Sequence, residues 1–300
     1  CSFDADPMID YGAQVTISDL KLYAGYTYAG YSLSAVLHEV TTFADITFNM
    51  PISEGANLAV SIYFTGITNN IVCDLNDGTY ANVPEGFVLD GNNYKTTYIT
   101  DMASQTVRFT DPSKVGYIFA GWTAAWAGDA HCDQTVQSTL AVNAGDLVLN
   151  AHAYGDIKLT ANWTPVTYKI TLDQNHADTE GTAELSVIFN TTSEFADLTA
   201  PERKGHTFKG WFTSADGDTL AIGLDKKLAK NLTNGSITYT DSEGKWIYAG
   251  DAIFYAQWKV HTYTITFHSN YPDASAEETH VQTLTYGVET ALDANTFAKI

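Results

Sequence analysis

The side chains best suited to metal chemistry lie near the middle of the chain. His131, Cys132 and Asp133 are neighbours, and His152 follows further along. Imidazole, thiolate and carboxylate groups are the usual ligands of zinc. Neighbouring residues of a strand point to opposite faces, however, and neither Cys-x-x-Cys nor His-x-x-x-His spacing occurs here. We therefore expect a loop with incidental ligand types, and no metal or other cofactor.

Two short polar stretches carry oxygen atoms that could bind calcium. They are Asp216-Gly217-Asp218 and Asp173-Gln174-Asn175. Neither continues into the twelve-residue loop that ends with a bidentate glutamate. Both stretches are therefore interpreted as turns.

No motif for nucleophilic or phosphate chemistry is present. The sequence has no G-x-S-x-G elbow, no H-E-x-x-H helix and no glycine-rich phosphate loop. A carboxylate pair for glycoside hydrolysis has no sequence signature, because the fold sets its separation. A chain of small repeats has no single deep cleft that could desolvate such a pair. We expect no catalytic residue, and a protein that is not an enzyme.

Two tryptophans are candidates for ligand binding. Trp126 and Trp246 lie in segments where loops could display an indole ring for stacking against a sugar. Burial in a core explains the same residues equally well. Both interpretations stay open for these two positions.

A repeated motif dominates the chain. Gly116-Tyr-Ile-Phe-Ala-Gly-Trp122 returns as Gly205-His-Thr-Phe-Lys-Gly-Trp211, and each copy leads to a strand that ends in tryptophan. These closing strands are Ile157–Trp163 and Ala252–Trp258. Self-similarity at the spacing of a small domain indicates a modular architecture.

The recurring aromatic residues are predicted to anchor the cores of the repeats. In each closing strand the alternate residues form a large, small, large inner face, as in Leu159, Ala161 and Trp163. Gly121 and Gly210 fit a bend or bulge next to the motif tryptophan. The predicted structural anchors are Trp122, Trp163, Trp211, Trp258, Phe119 and Phe208.

Further partial copies are predicted at both ends. Leu20, Leu22, Ala24 and Tyr26 alternate like a closing strand, with Tyr26 in the place of the tryptophan. Opening strands are expected at 168–172 and 263–267, after linkers of only a few residues. Because short linkers limit bending, we expect an extended, semi-rigid array, which small-angle scattering can test.

Residues 29–66 differ from the repeats. Ile46–Pro51 and Leu58–Phe64 are predicted as two strands separated by a break at Pro51. A lone hairpin is only marginally stable, so we expect these strands to pack with Tyr31–Leu37 as a small β module that resembles the F-x-M-P modules of bacterial surface proteins.

The combined pattern resembles the internalin B-repeat family, also called the Listeria/Bacteroides repeat. It comprises a Y-x-I-T-hydrophobic strand, the turn at 76–79, the G-Y-x-F-x-G-W motif and a final T-A-N-W or Y-A-Q-W. The resemblance covers roughly 67–300 and the tail at 1–28. It implies small β-grasp-like domains of secreted or wall-attached bacterial proteins, without catalytic residues. Long insertions at about 124–156 and 214–250 depart from the usual pattern.

These observations predict a mostly β fold with short helices, an α+β class. Helices are expected at Leu220–Leu232, where leucines recur at four-residue spacing, and near Ser193–Leu198. The predicted domains are the tail of a preceding repeat (1–28), a small β module (29–66), two repeats (67–165 and 166–260), and the start of another (261–300).

Charge and cysteine content restrict the partners. The chain has 35 acidic and 15 basic residues, a net charge of −20, which disfavours nucleic acid and anionic membranes. No apolar run is long enough to insert into a membrane. Cys1, Cys73 and Cys132 are too few for a disulfide framework, although a Cys73–Cys132 bridge stays open. Cys73 is expected to be buried.

The sequence favours a non-catalytic stalk that holds a distal domain away from a bacterial cell. The alternative is an adhesin that binds a host glycan or an extracellular protein through the inserted loops. Both interpretations place the segment outside the cell, at the surface or cell wall, as a monomeric part of a longer chain.

Overall fold

The computed structural model describes residues 14–17, 22, 24–33, 36–38, 46–49, 59–128, 139–269, 278–294 and 297. Their regular secondary structure consists of 22 β-strands, and these residues contain no helix. The chain divides into two compact units, Cys1–Lys114 with Phe119–Thr164, and Val115–Ile118 with Pro165–Ile300. The main division lies one residue from the predicted boundary between the two full repeats.

Thirteen strands precede residue 166. They are β1 (Gln14–Ile17), β2 (Tyr26–Leu33), β3 (Val36–His38), β4 (Ile46–Asn49), β5 (Val60–Gly66), β6 (Thr68–Asp74), β7 (Val88–Asp90), β8 (Asn93–Ile99), β9 (Gln105–Arg108), β10 (Tyr117–Trp126), β11 (Val142–Asn143), β12 (Asp146–Leu149) and β13 (Ile157–Pro165).

Nine strands follow. They are β14 (Thr167–Asp173), β15 (Glu184–Ile188), β16 (His206–Phe212), β17 (Leu220–Ile222), β18 (Thr233–Asn234), β19 (Ile237–Thr238), β20 (Ala252–Val260), β21 (Thr262–His268) and β22 (Thr279–Thr285).

The first full repeat, 67–165, is built on a five-stranded sheet with the order β10-β13-β6-β8-β7. Its central strands β6 and β13 are parallel, and the neighbouring pairs β6–β8 and β8–β7 are antiparallel. A smaller sheet with the order β11-β12-β9 accompanies it. Residues of β6 alternate between buried and partly exposed, as a half-buried strand requires.

The second full repeat, 166–260, has a five-stranded sheet with the order β15-β14-β20-β16-β17. Strands β14 and β20 are parallel at its centre, and β15 and β16 flank them in antiparallel pairs. A bulge interrupts the β16–β20 pairing between Phe208 and Gly210. Gly210 has φ +122, a left-handed conformation that side chains disfavour, which explains the glycine at this position.

Each unit buries its own hydrophobic cluster. The cluster of the first unit includes Ile71, Leu159 and Trp122, and that of the second includes Ile170, Phe254 and other apolar residues from all parts of the repeat. Separate cores agree with the modular organisation that the recurring motif predicts.

The predicted α+β class is wrong, because both expected helices are absent. Segment 220–232 consists of β17, turns and an isolated bridge between Ile222 and Leu228. Leu224 is 70% exposed whereas Leu228 and Leu232 are buried, so the leucines do not form one helical face. Lys226 has φ +63, which also ends a helix. Segment 193–198 is irregular, so a helix that a β-grasp domain would carry is missing there.

The expected closing strand at 20–26 is also wrong where the structure describes it. Residues 24 and 25 form a turn, and β2 begins at Tyr26. Strand β2 pairs with β5 through a bulge between Tyr28 and Gly30, as β16 pairs with β20. Gly25-Tyr-Thr-Tyr-Ala-Gly-Tyr31 is therefore a third copy of the repeated motif, and the predicted boundary at 28/29 falls inside a strand.

The predicted β module at 29–66 pairs differently from the expectation. Ile46–Asn49, strand β4, pairs with β1 and not with the strand that begins near residue 58. That strand is β5, which joins β2 and β3 in a three-stranded sheet with the order β3-β2-β5. Of the predicted segment Tyr31–Leu37, residues 31–33 pair with β5, whereas Val36 and Leu37 pair with β2. Pro51 lies outside the described residues.

Candidate functional site

The opening and closing strands of the first full repeat lie side by side. In the register of β6 and β13, Ile71 is opposite Ile157 and Cys73 is opposite Leu159. All four side chains are fully buried. The parallel pair therefore joins the two ends of the repeat at the centre of its sheet.

The second full repeat has the same arrangement. Ile170 of β14 is opposite Ala252 of β20, and Leu172 is opposite Phe254. These four residues belong to the buried core of the unit. A parallel pair has evenly spaced hydrogen bonds along its length, so the ends of this repeat are also joined by a continuous backbone ladder.

An aspartate ties the two strands together where the closing strand begins. Asp156, just before β13, accepts hydrogen bonds from the backbone N–H of Asn70 at 2.7 Å and from its side-chain amide at 3.0 and 3.1 Å. Asp251, just before β20, accepts one from the backbone N–H of Lys169 at 2.8 Å. Both donors lie in the opening strand, so each carboxylate bridges the pair.

An asparagine ties the other end of the pair in the first full repeat. Asn76 has φ +49, and its backbone N–H donates to Asp74 Oδ1 at 2.9 Å. Its side-chain amide donates to the carbonyl of Ala161 in β13 at 3.3 Å. From the closing strand, Trp163 Nε1 donates to the carbonyl of Leu75 at 3.0 Å. The turn after β6 is therefore bound to the closing strand by two side chains.

The second full repeat repeats this geometry. Asn175 has φ +45, and its backbone N–H donates to Asp173 Oδ1 at 2.9 Å. Its side-chain amide donates to the carbonyl of Ala256 at 2.7 Å, and Trp258 Nε1 donates to the carbonyl of Asn175 at 2.9 Å. We call the parallel pair with its aspartate at one end and its Asn–Trp contacts at the other the strand clasp.

The motif aromatics pack next to each clasp. A phenylalanine lies between the motif tryptophan and the closing-strand tryptophan in both repeats, with edge-to-face geometry. The centroid distances are 5.3 Å for Phe119–Trp122, 5.5 Å for Phe119–Trp163, 5.4 Å for Phe208–Trp211 and 5.6 Å for Phe208–Trp258.

Comparison with known proteins agrees with this internal repetition. Residues 86–152 and 168–234 match the family model of the Listeria-Bacteroides repeat domain. Two tandem segments of the chain therefore resemble this repeat domain. Each match ends before the closing strand of its repeat, β13 or β20. The tandem repetition predicted from the motif is therefore confirmed.

Two proteins of Evansella cellulosilytica are similar to the chain. One, provisionally named as a Gly-rich membrane protein, is 26% identical over 188 residues, which cover 61% of this chain and 17% of that protein. The other, provisionally named as a membrane protein, is 24% identical over 184 residues, which cover 61% and 22%. The chain thus spans about a fifth of the length of these curated relatives. Within the described residues, no helix has the length and apolar character that a membrane crossing requires.

The predicted anchor tryptophans of the two full repeats occupy two kinds of environment. Trp122 and Trp211 are 9% and 1% exposed and lie in the cores of their units. Trp163 and Trp258 are partly buried, because they lie at the ends of the clasps. The two groups therefore differ in how much apolar surface they remove from water.

The two tryptophans that the sequence offers as candidates for ligand binding also differ from each other. Trp246 is fully buried and stacks on Tyr239, with ring centroids 5.6 Å apart. It has no face available for a sugar, so the interpretation of Trp246 as a displayed ring is wrong. Trp126 is partly buried and packs against the core of the first unit. Trp126 belongs to the first unit and Trp246 to the second.

The candidate metal ligands are not gathered either. His131, Cys132 and Asp133 lie outside the described residues. His152 has φ +63, and its Nδ1 lies 2.9 Å from the hydroxyl of Tyr26 in a hydrogen bond. The described residues contain no group of three or more His, Cys, Asp or Glu side chains that could hold a metal ion.

Cys73 belongs to the opening strand of the first full repeat. Its thiol is free and fully buried, and burial raises its pKa to about 12. A thiol with such a pKa is protonated at neutral pH and unreactive. Cys1 and Cys132 lie outside the described residues.

Sequence reasoning missed the polar residues of the clasp. The sequence does carry a signal for the aspartates, because a Gly-Asp pair stands immediately before each closing strand, at Gly155-Asp156 and at Gly250-Asp251. Asn76 and Asn175 both follow an Asp-x pair after the opening strand. The sequence predicts turns at Asn76 and Asn175, but their contacts with the closing strand depend on the parallel register.

Proposed function

We propose that this chain is a non-catalytic stalk segment of a bacterial surface protein, which holds a distal domain away from the cell and carries tension. The observation that supports this most directly is the strand clasp. In each full repeat the first and last strands are direct neighbours and parallel.

This geometry determines how a repeat responds to pulling. In the second full repeat, force enters at the amino end of β14 and leaves at the carboxyl end of β20. Because the two strands are parallel, these points lie at opposite ends of the pair. Tension therefore slides the strands past each other and loads their evenly spaced hydrogen bonds together. An antiparallel pair pulled from one end would instead lose its bonds one after another.

The side chains of the clasp add resistance at both ends. Asp251 binds the opening strand at its start, and Asn175 binds the closing strand near its end. Each hydrogen bond contributes about 0.5–1.5 kcal/mol to stability. Forced unfolding depends on the unfolding rate, which interactions lost in the transition state control.

The family match and the names of the relatives support a location at the cell surface. We infer that the segment lies outside the cell, at the surface or in the wall. We also infer that its repeats are of the internalin B type, with the motif at 116–122 and 205–211 as the basis. A stalk needs stable, repeated modules and no reaction centre.

Single-molecule force spectroscopy on the full chain tests this proposal. Pulling from both termini should give discrete unfolding events for the two full repeats, each releasing roughly 300 Å of extended chain. Asn175→Ala should lower the force of one event and leave the other unchanged. Gradual extension without discrete events would contradict a tension-bearing role.

A further inference from the structure

The residue that links consecutive repeats is hydrogen-bonded on both sides. The backbone N–H of His261 donates to the carbonyl of Gly205 at 2.8 Å. Its own carbonyl accepts a hydrogen bond from the backbone N–H of Tyr286 at 3.0 Å. Gly205 is the first glycine of the second motif, and Tyr286 follows β22. One linker residue thus connects the motif of one repeat to the second strand of the next.

The same pair of bonds recurs at the other linkers. One of these linkers lies in the second unit, which includes 115–118, and the other lies in the first unit. In both, the linker N–H donates to the carbonyl of the motif glycine. The linker carbonyl accepts from the residue that follows the antiparallel partner of the opening strand, β15 or β8. The bonds are Val166 to Gly116 at 2.9 Å and Phe189 to Val166 at 2.9 Å, then Ile67 to Gly25 at 2.9 Å and Thr100 to Ile67 at 3.0 Å.

An aromatic ring covers the motif glycine at two of these places. A Cβ atom on Gly205 would lie 2.2 Å from the ring of Tyr286, and one on Gly116 would lie 2.4 Å from the ring of Phe189. Gly205 and Gly116 also have φ values of +66 and +78. Glycine is therefore required both by backbone conformation and by the close approach of a ring.

The residue after the glycine also contacts the aromatic ring. His206 meets Tyr286 at a centroid distance of 6.1 Å, and Tyr117 meets Phe189 at 5.3 Å, both edge to face. Asn190, next to Phe189, also donates from its side chain to the hydroxyl of Tyr117 at 3.1 Å. The contact surface thus combines backbone bonds, an aromatic pair and a position without a side chain.

We propose that the first glycine of the motif and the residue after it form a docking surface for the following repeat. The partner that fits this surface is the aromatic residue at the end of that repeat's second strand. In tandem arrays, stability is the sum of the stability of each repeat and of its interfaces with neighbours. Docking at this surface makes the folding of one repeat support the next, whether or not the array serves as a stalk.

The hairpin of β21 and β22 is the element whose stability depends most on docking to the preceding repeat. The described part of 261–300 forms a two-stranded sheet. Isolated hairpins of this kind are only marginally stable in water. Its protection against hydrogen exchange therefore depends on contacts such as that of Tyr286 with Gly205.

Hydrogen-exchange mass spectrometry on the full chain tests the docking surface with a matched pair of variants. Gly205→Ala places a methyl group in the space that the ring of Tyr286 occupies. Gly235→Ala is the control, because Gly235 has φ +60 and nothing lies within 4 Å of its Cβ position. Gly205→Ala should speed exchange in β21 and β22 at least tenfold, whereas Gly235→Ala should leave these strands unchanged.

Tyr286→Ala is a second variant that distinguishes loss of this contact from general misfolding of the second full repeat. Tyr286 lies outside that repeat, so its replacement leaves the sequence of the repeat unchanged. The variant should speed exchange at the start of β16 in the preceding repeat, and its effect should not add to that of Gly205→Ala, since both remove one contact. Equal exchange in β21 and β22 for Gly205→Ala and Gly235→Ala would overturn the proposal. So would a Tyr286→Ala effect confined to its own hairpin. The outcome of the hydrogen-exchange experiment does not depend on the outcome of the force measurements on the clasp. The docking surface and the stalk function can therefore be refuted separately.

Discussion

Trp163 donates a hydrogen bond from its indole nitrogen to the backbone carbonyl of Leu75, 3.0 Å away. The bond connects the end of the closing strand to the turn that follows the opening strand. Trp258 makes the equivalent bond to the carbonyl of Asn175 at 2.9 Å. Closing-strand tryptophans thus have a polar role at the clasp as well as an apolar one in packing.

Truncating the tryptophans should show these two roles. Trp211→Ala should lower the free energy of unfolding by roughly 5 kcal/mol, because it empties a fully buried site. Trp258→Ala should cost roughly 3 kcal/mol, since the side chain is only partly buried. Trp258→Phe, which keeps a ring but loses the donor, should cost about 1 kcal/mol. Urea unfolding followed by circular dichroism measures all three, and near-neutral changes would contradict the assigned packing.

Removing the aspartate of the clasp should weaken one repeat selectively. Asp251→Ala takes away the acceptor for the backbone N–H of Lys169. We expect a loss of about 1 kcal/mol and faster hydrogen exchange at the start of β14. Asp216→Ala is the control, because Asp216 is an exposed aspartate of the same repeat. Indistinguishable exchange in the two variants would count against the clasp.

The bulge glycines offer a second matched pair. A Cβ atom on Gly210 would lie 2.7 Å from Leu220 Cδ1 and 2.8 Å from the carbonyl of Ile222. At Gly121 no atom lies within 4 Å of the Cβ position. Both have positive φ, so Gly121→Ala should cost about 1–3 kcal/mol from backbone strain alone. Gly210→Ala should cost more in a thermal melt, and equal costs would show that strand β17 shifts easily.

Stability should fall in acid partly through Asp241. The backbone N–H groups of Lys245 and Glu243 each donate to its Oδ1 at 2.9 Å, and that of Lys245 contributes most to holding the pKa of Asp241 below its ordinary value of 3.8. A lowered folded-state pKa stabilises the fold above the unfolded-state pKa, and this contribution is lost as pH falls through the folded-state pKa. Asp241→Asn should therefore show a smaller drop in urea midpoint between pH 6 and pH 2 than the unchanged protein. An identical drop would refute the role of this turn.

Several features were predictable because they depend on local spacing. The recurrence of the motif at 116–122 and 205–211 identified the two full repeats, and alternation placed Leu159 and Phe254 on inner faces, where both are fully buried. Such patterns follow from the two-residue period of a strand, which the chain carries wherever it folds.

Other features needed the pairing of distant strands. The four-residue spacing of Leu224, Leu228 and Leu232 is compatible with a helix, but only the latter two are buried, and the segment folds as turns and short bridges around them. Here tertiary packing outweighs local periodicity. The third motif copy at 25–31 lacks tryptophan, so only its bulged pairing with β5 reveals it.

The sequence by itself determined that this protein is a tandem array of β-rich repeats with aromatic anchors, because repetition and strand periodicity are properties of the linear order of residues. Only the tertiary structure decided which polar residues join the strands. Asp156 and Asn70 are far apart in the chain, and their hydrogen bonds exist because β6 and β13 lie parallel in one register. The close contact between Gly205 and the ring of Tyr286 likewise depends on the hairpin of β21 and β22, which brings that ring to the glycine.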